Sequence, residues 1–243
     1  MIHTINKLSG KEYLKRIEEN PTVIIPTGAC EIYGPHLPMG SDLLCAKAIA
    51  ELVAEKTGAL VAPTIEMGES SSLGSYPCTF VCPRNVLESY LQALMDILVK
   101  QGFKHFVFIT GHAGNVDTVT YLSKRYVKEY GITACQIDWW RFTQGHCSVL
   151  DHTGPMAHGH AAECGTSVML YLYPELVHMN EACKTELPSM GYRDIIQYGF
   201  VTGGFGNTGM LGDATCATAE KGKAIVEECV DYIVSYIKEN MKK

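Results

Sequence analysis

Apolar and polar positions alternate in blocks along the chain. Residues 22–26 (TVIIP) form a β-branched run closed by Thr27 and Gly28, with the length and composition of a buried strand. A polar loop over 31–41 follows. Asp42 then opens LLCAKAIAELVAEK, in which Leu44, Ala48, Leu52 and Lys56 fall four apart while Ile49 and Val53 widen the apolar face, so a helix is predicted with Gly58 as its stop. Residues 59–65 are a second strand-like run, and 68–76 are rich in turn formers. Over 84–101, Leu87, Leu91, Leu94, Met95 and Leu98 share a helical face that ends at Gly102. The run 103–110 (FKHFVFIT) reads as a strand leading directly into Gly-His-Ala-Gly-Asn. A helix over 117–130, a strand over 132–138 and helices over 162–173 and 216–238 complete the pattern, with a Gly-rich stretch at 199–212 before the last.

Strands alternating with helices at this spacing predict an α/β fold, a layered sandwich whose mostly parallel sheet is flanked by helices. With no Pro/Gly/Ser-rich linker and no internal repeat, a single domain over 1–243 is expected. Ligands of such sheets sit beyond the carboxyl ends of the strands. The search for chemistry therefore narrows to the segments after Gly28, Ile65, Thr110 and Asp138.

Composition adds few constraints and several exclusions. Lys+Arg 20 against Asp+Glu 26 leave a formal charge of −6, which argues against a nucleic-acid or anionic-membrane partner. No stretch approaches the roughly 18 apolar residues of a membrane helix, and the charged N-terminus lacks a signal-peptide core. The ten cysteines include no Cys-x-x-Cys pair, so buried thiols in a reducing cytoplasm are expected rather than a disulfide framework.

The segment after the first strand supplies Glu31, Tyr33, His36 and Asp42, the one after 110 supplies His112 and Asn115, and a later one His158, His160 and Glu163. Oxygen and imidazole donors arriving from separate strand ends suit a divalent-metal hydrolase: carboxylates give hard anionic ligands, imidazole a neutral nitrogen, and the metal acidifies water. Taken singly, each residue has an ordinary alternative. Asp42 before an amphipathic run is also a plausible helix cap, and a lone His112 a packed histidine. Gly204, Gly206 and Gly209 fit Gly-x-Gly-x-x-Gly but lie late, away from any strand-to-helix turn near the start of a βαβ unit. Trp139 and Trp140 are expected as pocket wall or core. Cys30 beside Glu31 is a weaker nucleophile candidate, and His146, Asp151 and His152 are a further group of ligand types.

Four segments, in order, resemble the creatininase (creatinine amidohydrolase) family. Pro26 to Asp42, with Glu31, Tyr33, Gly34-Pro35-His36-Leu37-Pro38 and Asp42, is similar to the family's Pro-x-Gly-x-x-Glu-x-His-Gly-Pro-His-Leu-Pro run ending in Asp. Gly111-His112-Ala113-Gly114-Asn115 resembles its Gly-His-Gly-Gly-Asn. His160-Ala-Ala-Glu163-Cys-Gly165-Thr-Ser167 resembles His-Ala-Gly-Glu-x-Glu-Thr-Ser, and Gly209 to Asp213 with 217–222 resembles the C-terminal signature. The resemblance implies one or two divalent metals (zinc, manganese or iron) and opening of small cyclic or linear amides. It assigns Glu31, Asp42 and His112 to the first metal, Glu163 to a further carboxylate near the metals, and His160 to proton transfer. It gives His36 contact with the substrate or support of the ligands, and implies a closed homo-oligomer, often a hexamer.

Three departures bear on the substrate. Tyr33 replaces a second-metal histidine, and a phenol with a pKa of about 10 is a poor ligand. Leu73 replaces another His, and Gly165 a Glu. A single-metal site in which Tyr33 donates to a substrate oxygen is one reading. On these grounds the small-molecule substrate is expected not to be creatinine. Hydrolysis of a carbon–carbon bond in a cyclic diketone, such as an oxidised cyclitol, is the alternative enzyme reading. A non-catalytic relative is the alternative outside enzymes.

Overall fold

The computed structural model describes residues 1–185 and 205–241. In chain order the elements are α1 (Gly10–Glu19), β1 (Thr22–Thr27), α2 (Ser41–Thr57), β2 (Leu60–Val61), α3 (Arg84–Lys100), β3 (His105–Thr110), α4 (Val116–Tyr130), β4 (Thr133–Asp138), α5 (Trp139–His146), the single turn α6 (Pro155–His158), α7 (Glu163–Leu172), β5 (Lys184–Thr185), β6 (Gly212–Asp213) and α8 (Ala219–Asn240). A four-stranded parallel sheet has the order β2-β1-β3-β4, and β5 pairs antiparallel with β6. The expected sandwich with a parallel sheet is thus the architecture observed.

Strand side chains divide by the period of two. Ile24, Val107 and Ile109 face a core shared with α2, α7 and α8, whereas Val23, Ile25, Phe106 and Phe108 face one shared with α3 and α4. Both faces of the sheet are covered, which is why these strands read as unbroken apolar runs rather than as alternating ones. Pro26 sits within β1 opposite Ile109, past the end of the two-residue β2, where its missing N–H faces no neighbour on that side. On the α2 side, α7 and α8 approach so closely that a Cβ on Gly222 would collide with the Ser167 carbonyl oxygen.

Differences from expectation are local. The second strand is shorter than 59–65, although Ile65 still bridges Thr27. The 216–238 helix starts at Ala219, where the Thr218 side chain accepts from the Lys221 amide. α1 and α5 were not predicted, the first because its sequence is strongly charged and the second because it is short. Gly204 and the rest of 199–204 lie outside the described residues, so that reading rests only on 205–212, which forms turns leading into β6.

Candidate metal centre

The three loops leaving β1, β3 and α6 converge at the carboxyl edge of the sheet. Glu31, Asp42 and His112 each bring a donor atom within 4.8 Å of the other two, and all three side chains are buried. Asp42 lies in the first turn of α2, but that helix is preceded by Gly40 and has no side-chain cap; the carboxylate points at His112 instead, which decides between the two roles its position allowed.

His112 is oriented by the backbone. Its Nε2 lies 2.9 Å from the Glu69 carbonyl oxygen, which can only accept, so Nε2 carries the proton and Nδ1 faces Asp42 Oδ2 at 2.9 Å and Glu31 Oε1 at 3.3 Å. Glu69 is held in turn: its amide donates to Asn115 Oδ1, and Asn115 Nδ2 donates to the Gly28 carbonyl. Gly114 is what lets this segment approach, since a Cβ there would strike the Glu69 carbonyl. His160 repeats the device. Its Nε2 donates to the Ile32 carbonyl at 2.7 Å, leaving Nδ1 turned toward Glu31 Oε1 at 3.8 Å.

Two imidazole nitrogens therefore face one buried carboxylate. Neither oxygen of Glu31 has a hydrogen-bond partner of normal geometry, an arrangement that burial makes costly. Burial works to raise the Glu31 carboxyl, but the bond and charge of His112 outweigh it and hold it below the ordinary value. Asp42 is raised, first by burial. Burial would lower His112, yet Asp42 and Glu31 raise it well above the ordinary value. The group calls for positive charge at its centre. Two carboxylates and an imidazole are hard and borderline donors that suit zinc, manganese or iron.

Tyr33 lies over this group, with its ring 4.3 Å from that of His160. Burial, and then the nearby Asp42 charge, raise the phenol well above its usual value, so it remains a donor. Gly165 makes the space: a Cβ there would already lie 3.4 Å from Tyr33 Oη. The replacements at 33 and 165 thus fit each other.

Two residues expected in the site lie elsewhere. His36 is fully buried but does not line the cavity; its Nε2 is 2.8 Å from Thr166 Oγ1, and that hydroxyl donates to the Ala161 carbonyl, so His36 is the donor. Burial lowers its pKa to about 4, keeping the ring neutral. Ala161, beside His160, has φ 59, a conformation costly for a side chain with a Cβ. His36 acts through Thr166 to brace that turn. Glu163 is fully buried but outside the cluster, because its oxygens accept from the Asp151 and His152 amides at 2.7 and 3.1 Å and from Lys221 Nζ at 2.7 Å. His146 stacks on Phe142, away from Asp151 and His152.

Above the cluster is a cavity of about 300 Å³ walled by Leu73, Trp139, Trp140, Cys164 and Phe205, with His158 at its margin. Both tryptophans line it, and the buried Trp139 Nε1 has no hydrogen-bond partner. The volume lies at the lower end of small-molecule sites. The sequence reading missed Glu69 and Thr166. Of these, only Glu69 had a local signal, its place in a post-strand loop.

The chain is similar to known proteins in sequence and in fold. The family of creatininases, creatinine amidohydrolase, matches residues 6–237. A 3-dehydro-scyllo-inosose hydrolase of Thermotoga maritima is 29% identical over 97% of this chain and 83% of its own length. A mycofactocin precursor peptide peptidase of Mycolicibacterium smegmatis is 30% identical over 90% and 85%, and a creatinine amidohydrolase of Pseudomonas putida 29% over 97% and 96%. Among solved structures, a manganese creatininase superposes with a TM-score of 0.85 at 26% identity, and a mutant creatininase of the Zn-Zn type with 0.84 at 25%, each over 100% of both chains. A match over nearly the whole chain, in fold and in sequence, makes this protein a divergent member of the creatininase family and a hydrolase.

Proposed function

We propose that the chain hydrolyses a carbonyl group of a small polar molecule other than creatinine, using one divalent cation held by Glu31, Asp42 and His112. The observation that carries this reading is the pair of imidazoles, each with its Nε2–H tied to a backbone carbonyl and its Nδ1 turned toward the unpartnered Glu31 carboxylate. A bound cation supplies Lewis acidity, polarising a carbonyl and acidifying water near neutrality. His160 Nδ1 takes the proton of the attacking water and returns it to the leaving nitrogen as the carbon–nitrogen bond breaks. Tyr33 fills the side of the Asp42 carboxylate where the family resemblance puts a second metal. The walls Leu73, Trp139, Trp140 and Phe205 exclude water.

A second reading, cleavage of a carbon–carbon bond in a cyclic diketone, is supported by the similarity to the inosose hydrolase and by the same cavity, whose His158 offers a polar contact to a hydroxylated ring. In that case His160 protonates the enolate carbon. Assays on lactams and linear amides against a hydroxylated cyclic diketone separate the two. The number of ions lost per chain on His112→Ala, relative to the wild type, tests the single cation at this centre: about one is expected, and about two in the same comparison made on Tyr33→His combined with Gly165→Glu. A loss of two ions from the wild-type background would overturn it.

The remaining features belong to the same reading: zinc, manganese or iron as the cation, a cytoplasmic location and a closed homo-oligomer. The outer face of α3 supports assembly, with Val86, Tyr90 and Ile97 each at least half exposed. Sedimentation as a monomer would exclude it. No helix among the described residues is long and apolar enough to cross a membrane.

A further inference from the structure

A second group of ligand-type side chains converges where the chain enters α8. His152, Asp213 and Cys216 each place one donor atom within 4.8 Å of the other two, and none of them lines the cavity. His152 Nε2 stands 3.3 Å from Asp213 Oδ2. The other Asp213 oxygen is taken by the Thr215 amide at 2.9 Å and the Thr215 hydroxyl at 2.6 Å, so the carboxylate cannot turn its Oδ2 away from His152 without losing both bonds.

The backbone beneath these donors is fixed by other residues. Glu163 accepts from the Asp151 and His152 amides, and Lys221 Nζ binds Glu163, Asp151 and the Cys216 carbonyl at 2.7, 2.8 and 2.8 Å. Both ligand-bearing segments are thus positioned in advance by a carboxylate and an ammonium that need not act as donors. Asp151, Glu163 and Cys216 form an overlapping group, but Lys221 already supplies its cation. Lys221 pairs with Asp151 and Glu163, and Asp213 Oδ2 faces the His152 imidazole. One nitrogen, one carboxylate oxygen and one sulfur, partly open to solvent, are the donors of a borderline metal such as zinc.

We propose that His152, Asp213 and Cys216 form a second metal site, for a zinc-class divalent cation, distinct from the Glu31–Asp42–His112 centre. Binding exchanges the Cys216 S–H bond for a sulfur–metal bond and releases one proton; no electron is transferred. Burial first, and then the nearby Glu163 and Asp213 charges, push the thiol up to about 11, so it enters the reaction protonated. The ion would clasp the loop at 151–154 to the root of α8. Its effect would reach the cavity through Leu211, which lines the wall and whose amide donates to the His160 carbonyl at 2.8 Å.

Cobalt(II) titration of the metal-stripped full chain tests this. The expected result is a near-ultraviolet thiolate-to-cobalt charge-transfer band that saturates at one equivalent, with one proton released per ion at that site. Cys216→Ser should abolish the band and His152→Ala should weaken binding at least tenfold, whereas His112→Ala and Cys30→Ser should retain it. Melting of every variant in chelator controls for folding. The proposal is overturned if the wild type shows no such band, if the band survives Cys216→Ser in a folded protein, or if Cys30→Ser removes it.

Discussion

Glu31 and Glu163 are both fully buried glutamates, the first in the loop after β1 and the second at the start of α7, each embedded in a motif that resembles one family signature. Their surroundings are opposite. Glu163 has an ammonium and two amide donors on its oxygens, whereas Glu31 has two imidazole nitrogens nearby and no normal hydrogen bond. Burial of a charge is therefore silent about its role until its partners are counted: the satisfied carboxylate holds the fold, and the unsatisfied one marks the place for a cation.

Substitutions at these two positions should separate activity from stability. Glu31→Gln is expected to cut hydrolysis by well over about 100-fold, beyond the range for an outer-sphere partner. In chelator it should lower the melting temperature by less than Glu163→Ala does, because the buried charge it removes has the His112 imidazole, 3.3 Å away, as its partner in place of an ammonium and two amides. Turnover assays and calorimetry on one preparation check both. Glu163→Ala should do the reverse, costing about 3 kcal/mol by removing the acceptor of the Asp151 and His152 amides and the buried carboxylate partner of Lys221, which is roughly a 10 °C drop in melting for a domain of this size. Cation binding at Glu31, Asp42 and His112 should persist. If Glu163→Ala instead emptied that centre while melting normally, the contrast between the two glutamates would fail.

A third buried group sharpens the contrast through pH. His36 has a folded pKa of about 4 against an ordinary 6.5, so the unfolded chain binds the extra proton between those values. Stability from this residue is complete above pH 6.5 and falls as the pH drops toward 4. The loss at pH 5 is about 2 kcal/mol. Urea unfolding of the wild type and His36→Asn at pH 7 and pH 5 should show the gap between them narrowing by that amount. The smallest effect is expected for Tyr33→Phe, which removes a single hydroxyl near the Asp42 carboxylate, worth about 1 kcal/mol. It should lower kcat several-fold with little change in melting.

Much of the fold was legible because the period of two or 3.6 survives in long apolar runs: β1, β3, α2 and α3 appear where the pattern puts them. α5 and the short β5–β6 pair did not, since eight or two residues carry too little period. In the site, Glu31, Asp42 and His112 were readable from their places after strands. The contacts of His36 and Glu163 were not legible, for one shared reason. A motif shows that a residue stands near the site, but not which way its side chain turns. His36 meets Thr166, 130 positions away, and Glu163 meets Lys221, 58 positions away. No local pattern encodes such contacts.

Both imidazoles of the centre are anchored on carbonyls of the main chain, at Glu69 and Ile32, rather than on side chains. Single substitutions in those loops leave the anchors in place, because every amino acid brings the same carbonyl. The cavity walls at Leu73, Trp140 and Phe205 have no such protection and can be exchanged one at a time. Heritable change is thereby channelled toward what enters the cavity and away from what happens to it, a division that allows one catalytic apparatus to be handed from substrate to substrate.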